Sequence, residues 1–370
     1  MTLSEILSNE ELRRHEFPVT KNKIFLGHAG VCALPRRVAQ AMIDCADGAT
    51  LGDQETFVMH KIADARKAGA QLLNCGPDEV SLVGPTSLAL SFVAAGLNFR
   101  KGDNILIYHD DYPSNVYPWM ALAEKGVKVR LLNTRGLGLI RAIDVMGQVD
   151  ENTRLVALAS SHFISGHRLD HAAVGKFLRE RGILFCLDAI QTLGAFPTTV
   201  EHVDFLAADS HKWLLGPCGA GLLYVKKDLQ EKLNPPVYGW HNVRNPDFVA
   251  QEKIEFRSGA AKFRGTAVLW NCHRQGHGIR ILAVDGEGLI AGGIFHHQSF
   301  HDAKGRVVAL RQHRDLKTKF TAIRQRLHFA LHIAGALCVA RHTISCSLNL
   351  YHLRLGQRYR RFAVTRKTHH

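Results

Sequence analysis

Residues 183–225 read ILFCLDAIQTLGAFPTTVEHVDFLAADSHKWLLGPCGAGLLYV. Three short apolar runs, ILFCL, FLAA and GLLYV, are separated by turn-rich segments. Each run is continuously apolar rather than alternating, as in strands whose two faces are both covered. The first run ends in Asp188, with Gln191 in the turn beyond it, and the second ends in Ser210, His211 and Lys212. Open α/β sheets bind ligands at the carboxyl ends of their strands, so these polar residues stand where chemistry is expected.

Working outward, the same texture repeats. DEVSLVG at 78–84, DNILIYHDD at 103–111, VKVRLLN at 127–133 and TRLVALASSH at 153–162 read as strands. Helical patterns are predicted over 54–73, PTSLALSFVAAGL at 85–97, residues 140–150 and AAVGKFLRERG at 172–182. YPSNVYPWMALAEKG at 112–126 reads as a loop running into a helix. KIFLGHAGVCALP at 23–35 reads as a short strand and a glycine-containing turn, with Pro35 opening a helix that runs to about Thr50. One amphipathic helix is predicted at 5–15 and a short one around QTLGAF. The alternation specifies an α/β fold with a mostly parallel sheet covered by helices on both faces. The Gly-x-Gly of PCGAGLLY is not a dinucleotide fingerprint, because it enters a strand and opens no helix.

Composition excludes several classes. Of the 370 residues, 46% are apolar and 22% charged, which is the range of a globular protein rather than a disordered one. No apolar run approaches the ~20 residues that span a bilayer, and the N-terminus lacks a hydrophobic signal core. A cytoplasmic protein with no membrane partner is expected. The eight cysteines form no CxxC pair, so neither a metal site nor a disulfide framework is indicated. The net charge of +14 is confined to residues 264–370, which hold 18 Lys and Arg against 4 Asp and Glu. That segment also carries 12 of the 22 histidines and none of the 11 prolines.

The polar residues at the strand ends suit one ligand. A lysine among apolar neighbours has its pKa lowered and forms Schiff bases. A carboxylate one strand away pairs with a protonated pyridine nitrogen and makes the ring an electron sink. Thr86 and Ser87 in SLVGPTSLAL stand in the first turn of a helix, where free amides and hydroxyls bind a phosphate dianion. Ser210 and His211, beside the lysine, add contacts of the same kind. The blander readings are a solvated loop lysine for Lys212 and helix caps for Asp188, Thr86 and Ser87. A structural role is equally open for His28 and His162.

DAIQTLGAFPTTVEHVDFLAADSHKWLLGPCGAGLLYV closely resembles the cofactor segment of class V aminotransferases, a group that includes cysteine desulfurases, selenocysteine lyases, kynureninases and isopenicillin N epimerase-like proteins. FLGHAGVCALPRRVAQAM, YPSNVYPWM and GWHNVRNPDF resemble further segments of the same family, so the resemblance covers about residues 20–263. It implies a fold type I pyridoxal 5'-phosphate enzyme acting on an amino-acid substrate, and a homodimer with active sites at the subunit interface. It implies Lys212 as the residue that holds the cofactor as a Schiff base. It assigns Asp188 to the pyridine nitrogen, Gln191 to the ring hydroxyl, and Thr86, Ser87, Ser210 and His211 to the phosphate. Tyr112 falls where relatives stack a ring on the cofactor, Asn115 falls nearby, and Trp240 falls where the partner's phosphate is reached. The family's phosphate turn reads Gly84–Pro85–Thr86–Ser87 here, and Pro85 removes one amide donor. Transamination, cysteine desulfuration, β-cleavage and epimerisation are all open within the family, with cysteine desulfurase or selenocysteine lyase the narrower alternative.

The resemblance stops near residue 263, which divides the chain into an N-terminal helical segment at 1–19, a cofactor domain at 20–263 and a basic tail at 264–370. The tail reads as an absent, diverged or scrambled small C-terminal domain. A frameshift near residue 264 accounts best for the lost prolines and acidic residues and the excess of Arg, His and Cys. An electrostatic arm would not contain LHFALHIAGALCVA, so no specific nucleic acid is expected as partner. If the tail is scrambled, the whole chain is instead a non-catalytic protein of the same fold. Arg354 and Cys346 fall at plausible distances for a substrate-binding arginine and a reactive cysteine, but their flanks do not match. His296, His297 and His301 lack the framing of a metal site.

Overall fold

The computed structural model describes residues 2–52, 54–239, 241–244 and 253–263. Trp240, Cys346, Arg354, the three tail histidines and the whole of 264–370 lie outside the described residues.

In chain order the helices are α1 (Leu3–Ser8), α2 (Glu10–Glu16), α3 (Arg36–Leu51), α4 (Gln54–Leu73), α5 (Thr86–Gly96), α6 (Tyr117–Met120), α7 (Ala142–Met146) and α8 (His171–Glu180). The strands are β1 (Val80–Val83), β2 (Asn104–Ile107), β3 (Lys128–Leu131), β4 (Thr153–Ala159), β5 (Leu184–Asp188), β6 (Phe205–Asp209) and β7 (Gly221–Val225). Among the described residues they form one sheet in the order β1-β7-β6-β5-β4-β2-β3. Strands β3, β2, β4, β5 and β6 pair in parallel, while β7 runs antiparallel to both β6 and β1.

Alternate side chains of the central strands feed two cores, one on each face. Leu106, Val156, Leu158, Phe185, Leu187 and Leu206 pack with Leu73 of α4 and Val174 and Leu178 of α8. Ile105, Ile107, Leu155, Cys186, Phe205 and Leu223 pack with Leu90 and Val93 of α5, Trp119 of α6 and Phe263. This explains why the strands read as unbroken apolar runs.

Three local expectations are corrected. Residues 23–35 form no strand; they run as an extended strap with a 3-10 turn at Gly27–Ala29. The strap's backbone meets the lysine loop instead of a sheet edge, with the Cys32 amide donating to the His211 carbonyl at 2.7 Å. The stretch around QTLGAF forms turns rather than a helix, because Gly194 takes a φ of 96° and Leu193 bridges to Phe196. The single helix expected at 5–15 is two, broken at Asn9, whose side chain accepts from the Leu12 amide and so starts α2.

Where β7 crosses the end of β1, Gly221 lies directly opposite Val83, and a Cβ there would collide with the Gly84 carbonyl oxygen. Gly84 leads directly into the first turn of α5. Gly221→Ala is therefore expected to cost about 1–3 kcal/mol of stability, read as a lowered midpoint in urea unfolding.

Candidate active site

The carboxyl ends of β1, β4, β5 and β6 and the start of β7 come together at one edge of the sheet, through pairings such as Asp209↔Gly221, Val83↔Gly221 and Ala159↔Asp188. Asp188 is the last residue of β5 and is 2% exposed. Lys212 follows β6 by three residues and is 7% exposed. The segment after β2 supplies Asp111, Tyr112 and Asn115. Thr86 and Ser87 open α5.

Asp188 accepts one hydrogen bond among the described residues, from the Ile190 amide to Oδ1 at 3.0 Å. Its pKa is pushed up to about 7, first by burial and then by the neighbouring Asp111 carboxylate, with the Ile190 amide and Lys212 pulling the other way. Burial lowers the Lys212 pKa, opposed by Asp188 and Asp209. The Lys212 Nζ lies 5.4 Å from the centroid of the Tyr112 ring. Tyr112 is 46% exposed and meets Phe163 edge to face at 5.3 Å. An under-satisfied buried carboxylate, a lysine held off its usual charge preference and a partly open aromatic ring thus share one edge.

Gln191 is held at both ends of its amide. Its Nε2 donates to the Ala29 carbonyl at 3.1 Å, and its Oε1 accepts from the Trp213 indole at 3.1 Å. His28 of the strap stacks on Trp213 at 5.3 Å, and burial lowers its pKa. The strap is therefore fixed onto the lysine loop by Ala29, His28 and Cys32. Asn115 is buried beneath its loop, donating to Asp111 at 3.0 Å and accepting from the Trp119 indole at 3.1 Å. The Thr86 hydroxyl accepts from the Asp209 amide at 2.9 Å. The Ser210 hydroxyl donates to the Pro217 carbonyl at 2.8 Å, so its proton points into the protein. His211 holds a 2.7 Å contact from Nδ1 to Asp209. His162 has a structural part, donating from Nε2 to the Asp110 carbonyl at 2.9 Å and accepting the Ser165 amide at Nδ1.

Two buried carboxylates of the site escape the sequence reading. Asp111 accepts from Asn115, the Ala159 amide and the Tyr112 amide, and so pins the aromatic loop to the end of β4. Asp209 ends β6 and touches Thr86, Ser210 and His211. Both stand inside quoted motifs, DDYPSN and ADSHKW, but nothing in their spacing separates a strand-end cap from a site residue. Among the described residues no three His, Cys, Asp or Glu side chains gather as metal ligands.

Comparison with known proteins adds a family to this geometry. The chain is 31% identical over 265 residues to a probable cysteine desulfurase of Methanothermobacter thermautotrophicus, covering 70% of this chain and 65% of that protein. A probable cysteine desulfurase of Pyrococcus abyssi is 28% identical over 267 residues, covering 68% and 66%. The chain thus spans just under two thirds of the length of these relatives. The cysteine desulfurase of Thermococcus onnurineus NA1 superposes with a TM-score of 0.65 at 25% identity, over 72% of this chain and 69% of that one. The cystine C-S lyase C-DES superposes with a TM-score of 0.67 at 22% identity, over 72% and 74%, a likeness of fold alone. The family description "Aminotransferase class-V" matches residues 24–287, which carries the likeness past residue 263, where the sequence motifs end it. On that match the chain belongs to the class-V aminotransferase family.

Proposed function

We propose that this protein is a pyridoxal-phosphate-dependent transferase or lyase acting on an amino acid. The observation that carries the reading is the placement of Asp188 and Lys212, both buried, at the ends of the adjacent parallel strands β5 and β6. The donor set fits the cofactor. Asp188 has acceptor capacity left for a protonated pyridine nitrogen. The exposed part of Tyr112 offers a face for stacking. Gln191 keeps one amide hydrogen for a ring hydroxyl, and Thr86, Ser87 and His211 lie at the α5 end for the phosphate. Ser210 belongs to that end through its backbone, since its hydroxyl proton is committed to Pro217. Asn115 acts from beneath, through Asp111 and the loop that carries Tyr112.

Bound there, pyridoxal phosphate supplies an electron-accepting ring that stabilises negative charge at an amino acid's α-carbon. Lys212 provides the amine that anchors the cofactor. Its Nζ would take and return the substrate's α-proton, a task suited to an amine whose burial favours the neutral form. Asp188 keeps its negative charge beside a cationic nitrogen. The strap of His28 and Ala29 covers the lysine loop and narrows the access of water.

Cysteine as the substrate is the narrower reading, and the names of the relatives support it. Cys32, whose thiol donates to the Gly216 carbonyl in the lysine loop, is pushed up to about 11 by burial and does not supply a thiolate. A homodimer forms part of the proposal, supported by apolar side chains left open on the strap, with Ile24 91% exposed and Leu26 and Val31 also exposed. So does a cytoplasmic location, supported by the thiols of Cys32, Cys75, Cys186 and Cys218, which form no disulfide among the described residues. No helix among the described residues is long and apolar enough to cross a membrane. Residues 264–370 stay a separate basic segment in this proposal, supported by their composition. Translating the other two frames of the gene after codon 263 tests its origin, and a helix-patterned small domain in one of them supports the frameshift.

Two outcomes are expected. Purified protein mixed with pyridoxal phosphate should develop a visible absorbance band, and borohydride should fix the cofactor on the peptide bearing Lys212. Lys212→Ala should abolish both, whereas Asp188→Asn should keep the adduct and slow α-proton exchange by orders of magnitude. An adduct fixed on the same peptide in Lys212→Ala overturns the assignment.

The second outcome concerns pH without cofactor. The folded chain holds the Asp188 proton more tightly than the unfolded chain, at about 7 against an ordinary 3.8. The stability linked to that proton is present at low pH and lost as the pH rises through about 7. Asp188→Asn should melt above wild type at about pH 8.5, and the gap should fall to about half at about pH 5.5 and close only near about pH 4.

A further inference from the structure

We propose that Asp209 is a positioning residue for the phosphate end of the site, acting through His211 and Thr86. The inference rests on the reading of the site given under Proposed function. Asp209 is 2% exposed, yet it lies against the residues that would meet a phosphate dianion. A bare carboxylate there would repel such a ligand. This one is saturated by donors: Oδ2 accepts from His211 Nδ1 at 2.7 Å and from the Gly219 amide at 2.9 Å, and Oδ1 accepts from the Ser210 amide at 2.8 Å.

The arrangement sets which protons remain for a ligand. A carboxylate only accepts, so the His211 Nδ1 carries a proton and points it inward. Nε2 is left to meet the ligand. A ligand phosphate would then meet the other ring nitrogen, on the side away from Asp209. Thr86 is oriented in the complementary sense. Its oxygen accepts from the Asp209 backbone amide at 2.9 Å, which leaves the hydroxyl proton for another acceptor. The Ser210 hydroxyl is withdrawn by its bond to Pro217, and Gly216 packs so closely on Ser210 that a Cβ would strike that hydroxyl. One residue at the end of β6 thus orients donors from two elements, the lysine loop and α5. Asp188 governs the opposite end of the cofactor, so the two acidic residues have separable parts.

Separability gives the test. Pyridoxal 5'-phosphate and pyridoxal differ only in the phosphate, and both report binding by absorbance. Affinities for each are measured on the full chain as wild type, Asp209→Asn, His211→Gln and the double variant, with thermal melts alongside. Wild type should prefer the phosphorylated form. Asp209→Asn and His211→Gln should each lower affinity for pyridoxal phosphate by about tenfold or more while changing that for pyridoxal by less than about twofold. The double variant should lose little more than His211→Gln alone, because Asp209 acts largely through that ring. Inorganic phosphate should compete with pyridoxal phosphate on wild type and compete more weakly on both single variants. Equal losses for the two ligands in Asp209→Asn mean a merely structural carboxylate and overturn the proposal, as does an unchanged preference. If Asp209→Asn does not fold, His211→Gln decides: a full preference for the phosphorylated ligand in that variant overturns the proposal. A wild type that binds neither ligand overturns the cofactor reading itself, a different result from a wild type that binds with Asp209 irrelevant.

Discussion

A carboxylate at the end of an interior strand is costly to ionise, and Asp188 has one backbone amide to offset that cost among the described residues. Its nearest carboxylate neighbour, Asp111, makes the charge harder still to hold. The fold tolerates this because both carboxylates are locked in place by elements with other reasons to be there. Asp111 ties the Tyr112 loop to β4, and β5 pairs with β4 over its length and with β6 over Cys186–Asp188. A frustrated anion in a rigid frame is prepared for a cationic ligand, and most of the surrounding geometry follows from keeping it there.

The polar network also divides the site into two ends. Gln191, Trp213, His28 and Ala29 join the strap to the lysine loop on one side. Asp209, Thr86 and His211 join β6 to α5 on the other. Lys212 stands between them on a loop whose backbone is strained at Leu215, a non-glycine residue at a φ of 56°. That strain is held by packing, since Leu215 is itself buried.

The sheet was legible from the sequence because its strands are buried on both faces, and a run such as ILFCL admits few other readings. The placement of Lys212 and Asp188 at successive strand ends was legible because the apolar runs before them are short and end abruptly in polar residues. Residues 23–35 read as a short strand and turn because the partners of the strap, His211 and Gln191, lie more than 150 residues away, and local pattern carries no trace of them. The turns at QTLGAF were misread because apolar spacing mimics a helix, while the positive φ of Gly194 decides otherwise. Asp209 and Asp111 were passed over for a related reason. Their importance lies in which amides they receive, and that is a property of the assembled edge.

The antiparallel strand β7 has a consequence for the order in which the site is assembled. Among the described residues, β1 pairs only with β7, about 140 residues further along the chain, a contact of high sequence separation. During synthesis, β2 to β6 can pair among themselves as they emerge, and Asp188 can take its place among them. β1 has no neighbour until Gly221–Val225 has left the ribosome. A nascent chain that ends before Gly221 therefore carries the carboxylate and the lysine but has no described sheet partner for β1, the strand that leads into Thr86 and Ser87.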